Sequence, residues 1–559
     1  MKRWIALVLT ALLLLTMTAC GGKSEAPAAQ APETKEPVIV TFSGGTGLAD
    51  DPYLIATADD LWAMAKAVNT KGTDNPYCAA SYKLTADIDL GGKEWQPLGV
   101  DDYGYTGFNG LLEGDGHTVS NFTVTYTQKG NDHAKNHAFI GYLNKGTVRN
   151  LTISNASVTV KSEKSVDVAG VVASARNAVV ENCRTTATVT VTSDLEAAGI
   201  VCNLGGDSVL TGCVNAAVVK GGMGNMSVGS AAGIVHYADS PVTSCINQGT
   251  VVSEQEDAAG IACMANAGIA DCVNNGDVHG ENGAAGIVCS FSDGALNSSM
   301  NDDTVSLTRC RNTGAIVSAT RDAGGIAESV RTGCVVDCVN EGAVTAPQHA
   351  GGIFAFYQRD VFGEAPAQIT VTGCVNSGSI LCDENYSAGG ICGKVYGSST
   401  RLVFADCENT GVIAAAGQRD VAVSGSYAGG IIGEATLVDM EVTGCVNTGS
   451  ITGFRATGGI IGLANPANLE GVAEFSLVLA DCRNSGKVYT VNSGGLTAEL
   501  YAGGILGYTN PESVADGTLK TITDLRMENC VNTGILEGDT NGALLRTDDL
   551  CAAWQSDLH

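Results

Sequence analysis

Positive charge, proline, histidine and tryptophan are all scarce in this 559-residue chain. It has 31 Lys and Arg against 59 Asp and Glu, 11 Pro, 7 His and 4 Trp. The formal charge of −28 makes nucleic acid and anionic lipid poor partners. Seven histidines over this length form no constellation, and close C-x₂-C ligand pairs are missing, so structural zinc is not indicated. Phosphate loops and nucleophile elbows do not stand out; with 72 glycines, chance G-x-G matches carry no weight. Few aromatics (5%) also leave few platforms for sugar rings. Collagen is excluded because the glycines follow no three-residue period, and disorder is excluded because 44% of the residues are apolar. Glycine at regular places in a β-rich sequence implies repeated tight turns.

The chain opens with Lys2 and Arg3, an apolar run from Trp4 to Leu15, and small Thr18 and Ala19, the layout of a secretory signal over residues 1–19. The run is too short for a membrane span and no second one follows. LTMTAC resembles a bacterial lipobox, with Met17 where Leu is commoner. The resemblance implies lipidation at Cys20, membrane attachment through that lipid alone, and a cell-surface location; the alternative is a plain signal peptide with an incidental cysteine. Without Lys2 and Arg3 the balance is 29 basic against 59 acidic residues. Residues 20–38 then read as the lipidated cysteine and a flexible Gly/Ala/Pro/Glu tether.

Residues 39–137 read as an N-terminal capping module with the first β coils. Thr57 is the expected N-cap of a helix, Asp59 and Asp60 lie in its first turn, and Leu61, Met64, Ala65 and Val68 form its apolar stripe. Alternating segments between glycine turns follow and read as β. A helix at the mouth of a solenoid shields strand edges.

Residues 138–540 repeat, and 541–559 are left as a C-terminal cap or tail. One marker is small-small-Ile or Val: Ala169, Ala198, Ala232, Ala259 and Ala285 begin AG pairs, and Gly324, Gly351, Gly389, Gly429, Gly458 and Gly503 begin GG pairs. The other is C-x-N-x-G, carried by Cys245 and Asn247, Cys272 and Asn274, Cys310 and Asn312, Cys338 and Asn340, Cys374 and Asn376, Cys407 and Asn409, Cys445 and Asn447, Cys482 and Asn484, and Cys530 and Asn532. Cys183 and Cys213 begin degraded early copies. The markers alternate, and their closest spacings are 26 and 27 residues. Three short strands and three turns need roughly 20–27 residues. Alternating Val, Ile, Thr and Cys exclude helical repeats. The expected fold is all-β: a right-handed parallel β-helix of about 11–13 coils.

AFIGYLNKGTVRNLTISNASV, with the GGIxG and CxNxG repeats, resembles the GLUG-type repeats of bacterial surface proteins. GGTGLADDPYLIATADDL resembles the segment that often precedes them. The likeness covers about residues 42–534. It implies an adhesin-like surface protein; such repeats also occur beside some immunoglobulin-cleaving peptidases, whose HExxH zinc motif this sequence lacks.

Cys and Asn two residues apart share one strand face, and Arg311, Glu408 and Arg483 between them must face water. The ladders are therefore expected inside, with cysteine as a small buried side chain, asparagine amides stacked coil on coil, and the glycine at positive φ. Coils ~4.8 Å apart aim neighbouring Cβ atoms poorly for disulfides, so free thiols are expected. Long links at 290–308, 357–370, 463–479 and 508–525 fall at one corner and offer a binding edge; tolerated loop growth is the alternative. Asp302 and Asp303, Asp101 and Asp102, Asp115 with His117, and Asp50 with Asp51 read as solvated or turn residues. Calcium is conceivable at Asp50 and Asp51 but lacks a specific motif, and no cofactor is indicated.

The function expected is non-enzymatic binding of a surface ligand: a host glycan, a matrix protein or a cell-wall polymer. A polysaccharide lyase or hydrolase on the same fold, and a passive stalk, are the alternatives. Cys20→Ala is expected to release the protein from the membrane fraction or block its processing. Unchanged retention and processing in fractionated cells would contradict the assignment.

Overall fold

The computed structural model describes residues 40–552, apart from internal links that include 71–74, 100–106, 130–135, 225–227, 293–305, 359–367, 397–400, 416–425, 467–474, 492–499, 514–518 and 540–543. Cys20 and the lipobox lie outside the described residues.

The N-terminal module starts from a helix over Ala58–Val68. Thr57 caps it: its Oγ1 accepts from the Asp60 N–H at 3.2 Å, and the Asp60 carboxylate accepts from the Thr57 N–H at 3.0 Å, a reciprocal capping box. The same carboxylate accepts the Ser43 hydroxyl at 2.7 Å, tying the helix start to the incoming chain. These hydrogen bonds hold the Asp60 carboxyl below its ordinary range against the opposing effect of burial. Leu61, Met64, Ala65 and Val68 are buried toward the first coils. Beneath the helix, Trp95 stacks on Phe139 at 5.0 Å and donates its indole N–H to the Phe139 carbonyl at 2.9 Å.

From there the chain winds through four parallel sheets. The first runs from Tyr53–Ile55 to Asp524–Glu528, the third from Ala197–Ala198 to Leu545–Asp548, and the fourth from Ile140–Asn144 to Leu506–Thr509. The second bends partway, so each repeat gives it two short strands, such as Val214–Asn215 and Val218–Gly221. The fold is the expected parallel β-helix, but with four faces, not three. Strands of two to five residues leave room for another corner. Equivalent residues pair in register from coil to coil: Asn215 with Asn247, then Asn274, then Asn312. One hydrophobic core runs from Ile55 to Leu525.

The markers meet inside this core. Asn215 donates its Nδ2 to Asn247 Oδ1 at 2.8 Å, and the pattern passes through Asn274, Asn312, Asn340, Asn376, Asn409 and Asn447 to Asn484, with 2.7 Å from Asn447 to Asn484. Asn484 donates to Asn532 at 2.8 Å. The second Nδ2 hydrogen goes to the carbonyl two residues on, as from Asn447 to Gly449 at 2.9 Å. At one end Thr185 donates its hydroxyl to Asn215 at 2.6 Å; at the other, Asn532 donates to Asp549 at 3.1 Å. The file thus begins on a donor and ends on a charged acceptor, leaving no amide in it orphaned.

The second glycine of each small pair is the counterpart of this file. A Cβ at Gly430 would lie 2.5 Å from Asn447 Cγ and 2.2 Å from the Gly459 carbonyl oxygen. Asparagine marker and glycine marker are two sides of one contact.

The glycine of C-x-N-x-G differs from its expected role. It does not take positive φ; a Cβ at Gly449 would instead strike the Gly411 carbonyl oxygen at 1.9 Å, so close backbone approach explains it. The left-handed corner falls one residue before each marker cysteine, at Asn182, Gly212, Ser244, Asp271, Arg309, Asp337, Gly373, Asp406, Gly444, Asp481 and Asn529. Asn, Asp and Gly tolerate that conformation most readily. Arg309, the exception in size, is held by two bonds to Asp271 at 2.7 and 2.8 Å.

The 19 described cysteines are free. Cys245, Cys272, Cys310, Cys338, Cys374, Cys407, Cys445 and Cys482 are buried in the core, whereas Cys530 in the last coil is half-buried. Burial pushes the Cys392 thiol well up and that of Cys382 up to about 12.

Asn447→Ala would leave one Asn409 Nδ2 hydrogen without its acceptor, and the Asn484 Oδ1 with only the Gly486 N–H at 3.2 Å. Each orphaned buried group costs ~1–3 kcal/mol, so urea unfolding should show a loss of that order. A change under about 0.5 kcal/mol, the range of an inert surface site, would contradict the amide file.

Candidate functional site

Side chains that point away from a solenoid normally diverge at its corners. Between the third and fourth sheets they converge. The residue two positions before each small pair, on the third sheet, meets an outward residue of the fourth. Asp167 bonds Ser174, Ser230 and His236 are 2.7 Å apart, and His349 lies 5.4 Å from Phe356. Ser387 donates to Glu434 at 2.7 Å, and Tyr501 stacks on Tyr508 at 4.2 Å. Such contacts recur along the axis, so outward side chains of the two sheets pack against one another at this corner.

Its floor is built from small residues. Ala138, Ala169, Ala173, Ala198 and Cys202 form one buried cluster; Ala232, Ala259, Cys263, Ala285 and Cys289 form another, both separate from the main core. In later coils glycine replaces alanine: a Cβ at Gly389 would meet the Cys392 carbonyl oxygen at 1.9 Å. The corner can fold this tightly only where side chains are missing.

The walls change character along the axis. The earlier coils bring in Asp167, Glu196, His236, Asp257, Asp322 and Glu328. Burial pushes the Asp167 carboxyl up to about 7, with nearby Glu196 adding to the shift and the Ser174 bond opposing it. Burial, with the charges of Asp257 and Asp322, drives Glu328 well up. Burial lowers His236 to about 4, so it stays neutral. Asp322 accepts from His349 Nδ1 at 2.7 Å. The later coils bring in Phe356, Lys394, Tyr427, Arg455, Tyr501 and Tyr508. Lys394 pairs with Glu434 at 3.1 Å, both largely buried. Asp322, His349 and Ser387 sit on successive rungs, but Ser387 is fully buried and donates to Glu434, so its hydroxyl is not offered as a nucleophile. Among the described residues, no group of three or more His, Cys, Asp or Glu could hold a metal ion.

The cysteine and asparagine ladders lie inside the coil and contribute nothing to this surface. The four long links singled out in the sequence each leave the fourth sheet and return in the first, but their central residues, 293–305, 359–367, 467–474 and 514–518, lie outside the described residues. Two other long links, containing 416–425 and 492–499, join the second sheet to the third. Their signal was the spacing of 22 residues from Cys407 to Gly429 and 21 from Cys482 to Gly503, against 14 from Cys245 to Ala259. In the later repeats, inserted links therefore occur both before the third sheet and after the fourth. Asp101, Asp102, Asp302 and Asp303 lie outside the described residues. Asp115 occupies a left-handed turn position and pairs with Lys83 at 2.9 Å, while His117 lies 3.3 Å from Asp87. At Asp50 and Asp51 the chain turns, with the Asp51 carbonyl accepting from Thr46 and Gly47 at 3.0 Å.

Asp167 gives a pH signature. Its carboxyl is raised in the fold to about 7 and is near 3.9 when unfolded. Between those values the native state holds a proton that the unfolded chain releases, so this group's contribution to stability is full below about pH 4 and falls as pH rises toward 7. Asp167→Asn should gain thermal stability relative to the parent as pH rises through that window. A difference in Tm independent of pH would contradict the buried proton.

No protein-family model matches the chain. It is 32% identical over 156 residues to halomucin of Haloquadratum walsbyi, covering 26% of this chain and 2% of halomucin. It is 31% identical over 125 residues to a protein of Evansella cellulosilytica provisionally named Gly-rich membrane protein, covering 22% of this chain and 13% of that one. A crystal structure of a protein from Bacteroides ovatus, provisionally described as an immunoglobulin A1 protease, aligns over 88% of this chain and 86% of its own at 16% identity, with a TM-score of 0.19. The chain is a long parallel β-helix repeat protein with distant similarity to halomucin and to the Gly-rich membrane protein.

Proposed function

We propose that this protein is a lipid-anchored, adhesin-like surface rod of the GLUG-repeat type that binds an extended glycan along the corner between its third and fourth sheets without cleaving it. The observation that carries this reading is the convergence of outward side chains from two sheets over successive coils, from Asp167 and Ser174 to Tyr501 and Tyr508. A straight polymer laid along this corner would meet a different contact on each coil, and weak contacts at many coils add. Phe356, Tyr501 and Tyr508 place aromatic rings at this corner, where flat faces can stack on sugar rings. The lipobox at Cys20 and the names of the two relatives support an envelope location.

A polysaccharide-cleaving enzyme is the second reading. What favours it is the mixture of acidic and basic groups at one corner, with Lys394 beside Glu434 and Arg321 4.0 Å from Asp322. Incubation of the protein with polysaccharides, followed by product analysis, separates the two readings.

The binding test is a glycan array on the full chain, with Tyr501→Ala and Tyr508→Ala as probes. Loss of a stacked ring costs ~1 kcal/mol or more, so each change should weaken a confirmed glycan about fivefold or more while leaving the β signal in circular dichroism intact. Equal binding by parent and both variants would remove the corner as the site. Cleavage of the bound polymer would replace the binding reading with the enzymatic one.

A further inference from the structure

Where the second sheet gives way to the third, in the early coils, the surface holds a cleft of about 440 Å³. It spans three successive coils: Thr159 and Lys161 come from the first, Thr192 and Asp194 from the second, and Met223 and Gly224 from the third. Thr159 pairs with Thr192 and Val160 with Ser193, so Lys161 faces Asp194 one step further on. The chain leaving the third of these coils closes one side. The Met223 N–H donates to the Ser193 carbonyl at 3.1 Å, and the Gly224 N–H to the Asp194 carbonyl at 3.3 Å. A Cβ at Gly224 would lie only 3.0 Å from that of Asp194, so the chain can press this closely only with a bare backbone. The volume falls in the range of small-molecule sites and far exceeds the ~30 Å³ share of one water.

The charges lining the cleft are a second, independent observation. Elsewhere in the solenoid, opposite charges that face each other on neighbouring coils join. Arg309 bonds Asp271 at 2.7 Å, and Lys394 bonds Glu434 at 3.1 Å. Lys161 and Asp194 face each other in the same way, yet they form no ion pair among the described residues. Glu163, which also lines the cleft, has no cation paired to it there either. The Thr192 hydroxyl likewise has no hydrogen-bond partner among the described residues. One ammonium and two carboxylates therefore share a cleft with their charges uncommitted.

An anion would meet Asp194 and Glu163 within a strongly acidic chain. A simple cation would leave Lys161 beside like charge. A neutral sugar would find no aromatic ring among the residues that line the cleft. A molecule that carries both charges satisfies all of these groups together. We infer that this cleft binds a small zwitterion of the amino-acid or dipeptide class. Its ammonium donates to Asp194 and Glu163, its carboxylate accepts from Lys161 and the Thr192 hydroxyl, and an aliphatic side chain packs on Met223. The site is separate from the corner between the third and fourth sheets and does not depend on the glycan reading.

The test titrates the full chain in detergent with alanylalanine, its N-acetylated form and its C-terminal amide. Binding is followed by NMR of isotope-labelled methionine methyl groups, with the Met223 signal assigned through Met223→Leu. Alanylalanine should shift the Met223 signal, and each blocked form should bind about fivefold more weakly, the effect of one partly exposed ion pair. Asp194→Asn should bring the free and acetylated peptides within about twofold of each other and leave the discrimination against the amide. Lys161→Gln should do the reverse, and circular dichroism checks that both variants fold. An unmoved Met223 signal, or equal affinity of the parent for all three peptides, would overturn the inference. Weakening of all three peptides alike in both variants would overturn it too, since that is what a merely structural role gives. Tighter binding of cellobiose than of alanylalanine, weakened by Asp194→Asn, would make this a sugar cleft and overturn it as well.

Discussion

The structure depends on one repeated contact: a buried asparagine amide lodged against a glycine that has no side chain to spare. Parallel coils can slide against one another unless something polar in the core fixes their register, because apolar contacts are not directional. The amide supplies that direction. Asn447 accepts from Asn409, donates to Asn484 and closes on its own Gly449 carbonyl, so a slip of one residue would orphan several buried groups together. The glycine is the geometric condition, since a Cβ at Gly430 or Gly459 would stand where the neighbouring amide stands.

The first glycine of each pair shapes the outside. With the chain pressed so closely at the bend between the third and fourth sheets, outward side chains on either side are turned toward each other. The floor narrows from Ala and Cys near Cys202 and Cys263 to paired glycines such as Gly389 and Gly393. The corner residues are free to vary because the floor does the folding. Asp257, His349 and Tyr501 occupy equivalent places with quite different chemistry, which is how a repeat scaffold acquires local specificity.

The β-helix was legible in the sequence because its period and alternation exclude helices, and because markers that recur at coil length imply stacking. The helix start at Thr57 was legible because capping is a local event. Four faces were not, since two-residue strands such as Val273–Asn274 are too short to count from alternation. The left-handed corners were misplaced by one step: glycine after asparagine drew attention, while the mixed column that includes Asp271, Arg309 and Gly373 carried the actual turn. The corner stayed hidden for a different reason. The column Asp257, Gly283, Asp322, His349 looks like ordinary spacer sequence until the bend brings Glu328 and Phe356 opposite it. Scarce tryptophan counted against a polysaccharide enzyme; that Tyr501 and Tyr508 stack is a property of the fold.

Hydrogen exchange read by mass spectrometry, comparing the parent with Gly430→Ala, addresses the central contact most directly. A methyl at that position must displace the Asn447 amide or the Gly459 carbonyl. The account predicts lost protection in the peptides containing Asn409, Asn447 and Asn484, fading toward the coils at Asn274 and Asn312, while the helix at Ala58–Val68 is unaffected. Unchanged protection at Asn447 and its two neighbours would contradict the claim that amide and glycine hold the coils in register.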